Sequence, residues 1–493
     1  MQTIAIRKEY SKSKGARILP LSLSTQIVTG ASITVLLAGS FMLTGSLLPF
    51  AIILGAFAVF ATIRNPVASL FAFIVINVFL TLHGKDTGAA TATDLALGIV
   101  ITLIMAYWLV RLRLFEVQSL TTSTGQLLLS LFAVWSVIVT IVGLFGEHTS
   151  FNNALREMLN LSPLIVLPII YSRFVELESP AERWLFMGVL AAGLLMVVWN
   201  VFHMRNNVLH AVYLYQTGRG NSDEMLSGLL VLLATSLLMT VRDYWKAIPA
   251  MLLLMLGVAG VVMSFARTLY IVAILCMAIV LLLGNREERW RGLRRIAVAG
   301  LAGVVGLLPL YFSSRIFRLL LWNYGMRFIS AQHLGTDLSL RIRYIEWKYV
   351  WQSILQSPIL GHGFGATFRD FDIMRFIHWW MPYSHSSYLY MIFKTGFIGA
   401  ALFFVAYFSF IIKGFRFLKS DRLSTRTRIL LRMGIAFLIA MLIYAYTSPV
   451  LDSKTDLIWV GLIVGYFLVV ERYIHNQDAV ALSSPSSRIH WGQ

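Results

Sequence analysis

SHSSYL, residues 384–389, joins a polar segment (314–384) to a long apolar run (386–412). A run of this length and composition is typical of a helix that crosses a membrane, which needs about 20 apolar residues. The junction therefore predicts a histidine, His385, at the aqueous end of a transmembrane helix. Because the rest of the chain consists of similar runs and charged connectors, we expect any chemistry to occur here.

The composition is that of a membrane protein. The chain has 493 residues, of which 58% are hydrophobic and 13% are charged, whereas soluble domains have roughly 45–50% apolar and about 25% charged residues. The single cysteine, Cys276, excludes an intrachain disulfide. These figures predict one helical bundle in lipid rather than several water-soluble domains.

Apolar runs long enough to span a bilayer recur along the chain, and we count about 14 of them, with a lower bound of about 12. The predicted spans are 25–44, 47–63, 66–83, 94–111, 126–145, 160–172, 185–202, 224–241, 247–263, 267–284, 296–313, 386–412, 430–447 and 455–471. The fold class is therefore predicted to be all-α, a polytopic helical membrane protein.

The spans divide the chain into four parts. These are an N-terminal transmembrane bundle (1–313), a large outer loop (314–384), C-terminal transmembrane helices (385–473) and a polar tail (474–493). The tail carries a Ser/Pro run and is expected to be disordered. The loop is too long to be a linker and predicts, in order, helices at 314–330 and 339–356, a tight turn at 361–365 and an aromatic interfacial segment at 368–383.

The net charge of +18 does not indicate nucleic-acid binding, because the basic residues fall mostly in short connectors between spans. If the basic N-terminus lies in the cytoplasm and the spans alternate, the clusters at 286–295 and 413–432 fall inside as well. That distribution follows the positive-inside rule. Both termini are then cytoplasmic, and the loop 314–384 faces outward.

Several arginines on the predicted outer side oppose this bias. Arg267 ends the turn Ser264-Phe265-Ala266-Arg267, which leaves little polar room between two spans. A charge near a helix centre costs roughly 2.5–3.5 kcal/mol, and less near the interface. The charge is explained either by an anion site in the bundle or by the side chain reaching headgroup phosphates. Further outer cations of this kind are Arg205, Arg219, Arg341 and Arg343.

His385 is the main candidate for acid–base chemistry, since histidine titrates near neutral pH. Glu346 follows Arg343 by three positions on one helical face, so it either orients that arginine or forms a plain surface pair. Lys394 lies within a predicted span and either reaches the interface or takes part in the site. His362, in the turn 361–365, is a weaker candidate.

A metal site is not expected. Asp370-Phe371-Asp372 matches the D-x-D pattern of many metal-dependent nucleotide-sugar transferases, but no third ligand is evident. The glycine-rich turn 361–365 lacks the preceding strand and the Lys-Ser/Thr end of a nucleotide-binding loop. The sequence thus predicts neither a metal nor another cofactor.

Together these motifs resemble the C-terminal signature of the O-antigen ligase and O-antigen polymerase family. The matching segments are TGRG (217–220), SFAR (264–267), RYIEW (343–347), GHGFG (361–365), HSSYL (385–389) and GFIG (396–399). Each is weak alone, but their order, spacing and common outer location make the combination specific. The sequence departs from the usual pattern at Ser386, where many members have Asn, and at Lys394, where many have an acidic or neutral residue.

The resemblance implies a membrane glycosyltransferase with the helical fold called GT-C, multi-pass in a bacterial inner membrane with a periplasmic active site. Such enzymes move a glycan from an undecaprenyl-pyrophosphate carrier to a hydroxyl of lipid A-core or of another repeat unit, with inversion and without metal. Carried over by motif position, Arg219 and Arg267 would hold the pyrophosphate with help from Arg343, and His385 would contact the acceptor hydroxyl. The alternative is a polysaccharide or lipid transporter or flippase.

Overall fold

The structure is a computed structural model, and it describes residues 123–174, 177, 180–210, 224–264, 266–329, 338–372 and 376–483. Four predicted spans, at 25–44, 47–63, 66–83 and 94–111, lie outside the described residues, and so does Arg219. The other ten predicted spans lie in the part of the chain that the structure describes.

That part consists of helices joined by short connectors, with one small sheet. The helices are α1 (Thr124–Gly143), α2 (Phe151–Phe174), α3 (Pro180–His210), α4 (Glu224–Thr240), α5 (Tyr244–Met263), α6 (Arg267–Leu282), α7 (Arg286–Ser313), α8 (Arg315–Ile329), α9 (Leu338–Ile354), α10 (Ser387–Leu418), α11 (Thr425–Ala445) and α12 (Lys454–Ser483). The strands are β1 (Phe368–Asp372) and β2 (Ile377–Met381), which lie between α9 and α10.

The prediction of a helical membrane protein is confirmed. Seven helices are long and apolar enough to cross a membrane, namely α1, α2, α5, α7, α10, α11 and α12. The predicted spans at 185–202, 224–241 and 267–284 coincide with the shorter apolar helices Leu185–Val201, Met225–Thr240 and Arg267–Leu282. The total of about 14 spans stays a prediction.

Two features of the fold differ from the sequence-based expectation. The segment 368–383, predicted as an aromatic interfacial segment in an all-α fold, forms an antiparallel hairpin in which Asp370 pairs with Trp379. Its aromatic residues favour strands, and each strand is too short to be detected by alternation alone. In addition, α12 continues past Tyr473 to Ser483, into the tail that was expected to be disordered.

Small residues allow close packing between helices in the bundle core. The most extensive contact is between α2 and α12, where a Cβ on Gly461 would lie 2.6 Å from the carbonyl oxygen of Pro163. Close backbone approach over glycine is the usual way that helices associate in lipid. This contact fixes α2, whose first turns carry the polar residues of the site end described below.

The charged connectors gather at one end of the bundle, which we call the basic end. Arg295 donates hydrogen bonds to the carbonyl oxygens of Leu238 (2.8 Å) and Arg242 (2.9 Å) at the end of α4. Arg432, on the first turns of α11, bonds Glu288 of α7 at 2.7 Å. Arginine thus satisfies helix carbonyls that have no partner within their helix.

The opposite ends of these helices form the site end, which collects the sequence motifs. It contains the start of α6, the start of α10, the connector 446–453 between α11 and α12, the turn 361–365 and the hairpin. The helix directions therefore separate the basic connectors from the motif residues.

A break inside α10 anchors the site end. Gly396 has φ 66°, and the helix axis changes direction there. The carbonyl oxygens released at Phe393 and Lys394 accept hydrogen bonds from the backbone N–H groups of His362 and Gly363, both at 2.9 Å. Because unpaired backbone groups are costly in a membrane, the break in α10 is stabilised by the N–H groups that the turn 361–365 donates.

We expect Gly396→Ala to destabilise the protein by more than about 1 kcal/mol. An alanine would have to adopt a positive φ, and its Cβ would lie 2.0 Å from the carbonyl oxygen of Ile359. Thermal unfolding in detergent measures the change. The matched control is Gly306→Ala in α7, where nothing lies within 4 Å of the added carbon; equal losses in both variants would contradict the explanation.

Candidate functional site

His385 is bound to a buried carboxylate. It lies just before α10 and is 34% exposed at its side chain, whereas Glu346 on α9 is 1% exposed. One oxygen of Glu346 accepts hydrogen bonds from the Ser384 hydroxyl and the His385 backbone N–H, both at 2.7 Å. The other oxygen contacts His385 Nδ1. Since Nδ1 is engaged, Nε2 is the ring nitrogen that has no hydrogen-bond partner within the described residues.

The start of α10 is tied to the connector 446–453. Ser387 Oγ donates to the carbonyl oxygen of Ser448 at 2.8 Å and accepts from the Leu451 backbone N–H at 3.2 Å. The Ser387 hydroxyl thus serves as the hydrogen-bond partner of one backbone carbonyl and one backbone N–H of this connector. This places the histidine segment against the loop between α11 and α12.

The same connector brings α6 to the site end. Thr447 Oγ1 donates to Thr268 Oγ1 at 3.0 Å, and Thr268 is the neighbour of Arg267, the first residue of α6. The Arg267 side chain is partly buried. A helix N-terminus carries unpaired N–H groups and a positive partial charge, so the arginine and the helix end favour an anion at the same place.

Arg343 lies on α9, which reaches the same end of the bundle. It lies one turn before Trp347, whose ring meets the ring of Tyr446 with centroids 5.2 Å apart. Tyr446 is adjacent to Thr447, which contacts α6. The structure therefore brings the elements that carry Arg267, Arg343 and His385 together at one end of the bundle. Arg341 is exposed.

The hairpin adds a second carboxyl group to this environment. Asp370 on β1 is 6% exposed, and its Oδ1 has no hydrogen-bond partner within the described residues. Burial raises the pKa of Asp370, the Phe371 backbone N–H lowers it, and the nearby charge of Glu346 raises it. Burial also raises the pKa of Tyr383, and so do the carboxyl groups of Glu346, Asp452 and Asp370.

Lys394 is paired inside the protein. Its ammonium group is fully buried and lies 2.8 Å from a Glu157 carboxylate oxygen, and it donates to the carbonyl oxygen of Ala366 at 2.7 Å. Glu157 in turn accepts from the Gly365 backbone N–H at 2.8 Å. Of the roles considered for this lysine, reaching the interface is wrong, because the side chain is enclosed between α2, α10 and the glycine turn.

His362 does not join the site in the same way, and the side chain of Arg205 lies outside the described residues. His362 contacts the Ser353 carbonyl oxygen at 2.8 Å through Nε2 and stacks on Phe393, which indicates a packing role. Arg205 lies in the last turns of α3. The described residues contain no group of three or more His, Cys, Asp or Glu side chains arranged to hold a metal ion.

Sequence reasoning missed two partners. Glu346 was considered only as a partner of Arg343, although it binds His385, and Glu157 was not considered at all. A partial signal for Glu157 was present, since a lysine within a span requires a counter-charge and Glu157 lies just before the predicted span 160–172. The pairing of Glu346 with His385 joins α9 to the residue just before the start of α10. A contact between separate elements produces no periodic pattern in the sequence.

A comparison with known protein families gives a match over the part of the chain that carries most of these residues. Residues 250–404 match the sequence model of the family described as O-antigen ligase, a range that contains Arg267, Arg343, Glu346, Asp370 and His385. The match supports an O-antigen ligase family assignment. No curated protein matches the chain at a significant level.

We expect Lys394→Met to destabilise the protein by about 3–5 kcal/mol, because it leaves the Glu157 carboxylate buried without a counter-charge. The double variant Lys394→Met/Glu157→Gln should lose less than the sum of the two single variants. Unfolding in detergent measures all three. The control is Lys413→Met, a lysine of the same helix in a more exposed pair with Glu471, for which we expect about 0–1 kcal/mol. Additive losses would contradict the pairing.

Proposed function

We propose, starting from the O-antigen ligase assignment, that this protein is a membrane glycosyltransferase. It moves a glycan from an undecaprenyl-pyrophosphate carrier to an acceptor hydroxyl of lipid A-core or of another repeat unit. The observation that carries the proposal is the Glu346–His385 pair at the end of the bundle that also holds the start of α6. An imidazole oriented by a buried carboxylate next to helix-borne arginines suits transfer from a diphosphate to a hydroxyl.

His385 acts as the general base in this proposal. Glu346 accepts a hydrogen bond from Nδ1, which leaves the lone pair on Nε2 to receive the proton of the acceptor hydroxyl. In hydrolytic triads, too, a carboxylate orients a histidine that takes the proton of the attacking hydroxyl. The acceptor oxygen forms a bond to the anomeric carbon as its proton passes to Nε2.

The arginines act on the leaving group. The bond from the anomeric carbon to the pyrophosphate oxygen breaks, and its electron pair departs with the carrier diphosphate. Arg267 and Arg343, together with Arg219, neutralise this charge, since guanidinium groups bind phosphate oxygens in a bidentate manner. Fixed donors in a partly desolvated site supply several kcal/mol of transition-state stabilisation.

The stereochemistry follows from a single displacement. The acceptor attacks from the side opposite the diphosphate, so the anomeric carbon is inverted. Because diphosphate leaves readily once its charge is neutralised, the reaction as proposed needs neither a metal ion nor another cofactor.

The site is proposed to face the periplasm from a bacterial inner membrane, with both termini in the cytoplasm. Support comes from the separation of the two ends of the bundle, because the cytoplasmic side carries the excess of Lys and Arg. Cations such as Arg295 and Arg432 lie at the basic end, opposite His385. A transporter, the alternative, should place ionisable residues near the bilayer midplane in several helices. Lys394 is the chief such residue, and its ion pair with Glu157 supplies a structural role instead.

We expect Arg267→Ala to reduce the rate of glycan transfer by about 10²–10³-fold and His385→Ala by about 10²–10⁴-fold. Glu346→Gln should also lower kcat, since the amide cannot hold the imidazole as a carboxylate does. The measurement is transfer from a carrier-linked glycan to an acceptor by the purified full chain. Full activity of Arg267→Ala would remove this arginine from the mechanism.

The control for this series is Arg294→Ala, an exposed arginine at the basic end, which should leave the rate unchanged. Wild-type protein that drives ion-dependent flux in liposomes, with no transfer, would overturn the proposal in favour of transport.

We also expect transfer to continue unchanged after exhaustive treatment with a chelator such as EDTA, since arginines rather than a cation neutralise the diphosphate. The rate is compared before treatment, after treatment, and after adding back Mg²⁺ or Mn²⁺. A loss that either ion restores would contradict the metal-independent mechanism.

A further inference from the structure

Asp370 is a buried carboxyl group with an unused acceptor. Its side chain is 6% exposed, and Oδ1 has no hydrogen-bond partner within the described residues. Leaving a buried polar atom unpaired is unfavourable, and a charged one more so. The hairpin therefore carries a hydrogen-bond acceptor that a bound ligand could pair.

The environment of Asp370 indicates where that ligand binds. The charges of Glu346 and His385 both act on the carboxyl group, and Asp370 acts in turn on Tyr383. The ring of Tyr383 meets that of His385 with centroids 5.9 Å apart. Asp370 is thus close enough to His385 and Glu346 to feel their charges, and Tyr383 contacts the imidazole that the proposed reaction uses.

An aromatic surface lies next to this carboxyl group. Trp379 of β2 stands directly opposite Asp370 in the hairpin register, and paired residues of antiparallel strands project from the same face with Cβ atoms about 4.5–5.5 Å apart. Trp379 is 42% exposed. In contrast, the neighbouring pair Arg369 and Trp380 belongs to the other face, where Trp380 stacks on His148 at 3.8 Å.

The charge and the aromatic surface of the hairpin face that carries Asp370 and Trp379 indicate which kind of ligand it binds. The carboxyl groups of Asp370 and Glu346, which act on each other through their charges, disfavour a diphosphate beside them, so we assign this side to the acceptor and not to the donor's leaving group. Sugar hydroxyls donate hydrogen bonds to a carboxylate, and the C–H face of a pyranose packs on an aromatic ring. A few polar groups beside an aromatic surface are the usual composition of a small-molecule site.

We infer that Asp370 and Trp379 form the subsite for the acceptor sugar, in which Oδ1 accepts a hydrogen bond from a hydroxyl next to the one that reacts and Trp379 stacks on the ring. The inference rests on the proposed function, because it takes His385 as the base that meets the acceptor. The subsite holds the acceptor by non-covalent contacts alone and adds no chemical step.

The test separates the Michaelis constants of the two substrates. For Asp370→Ala we expect the KM for the acceptor to rise about tenfold or more, the usual effect of losing a hydrogen bond to a charged group, while the KM for the carrier-linked donor stays within about twofold. Asp370→Asn keeps one acceptor oxygen and should fall between the wild type and alanine. Trp379→Ala should also raise the acceptor KM.

The matched controls lie on the opposite face of the same hairpin. Arg369→Ala should leave both Michaelis constants unchanged, and Trp380→Ala should lower the melting temperature through loss of the His148 stack without raising the acceptor KM. An acceptor KM that is unchanged in Asp370→Ala, or a rise in the donor KM instead, would overturn the inference. So would equal acceptor effects on the two faces.

Two outcomes separate this inference from the proposed function. If the wild type transfers glycan but Asp370→Ala and Trp379→Ala keep their acceptor KM in detergent, Trp379 serves as an interfacial anchor and only the subsite is wrong. If the wild type itself transfers no glycan, the proposed function fails, and the inference that rests on it is overturned with it.

Discussion

The site end depends on one buried ion pair, that between Lys394 and Glu157. Lys394 reaches from α10 to α2 and also to the carbonyl oxygen of Ala366, while Glu157 accepts from the Gly365 backbone. Three separate parts of the chain are thus joined at a point where neither charge is exposed. Such a pair contributes little net stability but makes any arrangement that separates the charges very unfavourable. It therefore specifies the fold more than it strengthens it.

The break in α10 lies at Gly396, two residues beyond Lys394. An interruption within a membrane helix is tolerated only where the released backbone groups find partners, and here the glycine turn provides them for Phe393 and Lys394. Glycine is required on both sides, because a Cβ on Gly361 would lie 2.4 Å from the Gly396 nitrogen. The turn thus acts as a support for the helix whose first residues carry the histidine segment, and its resemblance to a nucleotide-binding loop is superficial.

The candidate site combines rigid supports with groups that differ in charge. Helix α6 and its arginine bring positive charge to one side of the histidine segment, and the hairpin brings carboxyl groups to another. Glu346 lies between these two sides and binds the imidazole. A separation of this kind suits the proposed reaction, since guanidinium groups bind the oxygens of a departing diphosphate and carboxyl groups accept hydrogen bonds from sugar hydroxyls. The side chains lie at helix ends and on a paired strand, where neighbouring backbone hydrogen bonds fix their positions.

The sequence by itself determined the helical membrane class and the positions of the spans within the described residues, and it supplied the candidate residues of the site. Apolar length, charge placement and short motifs are local, so Arg267, Arg343 and His385 could be selected without coordinates. The partners could not: Glu346 binds His385, Glu157 binds Lys394, and the cross-strand pair of Asp370 and Trp379 needs a register. Only the tertiary structure decided these pairs, because each joins separate elements through packing and burial that no periodic pattern encodes.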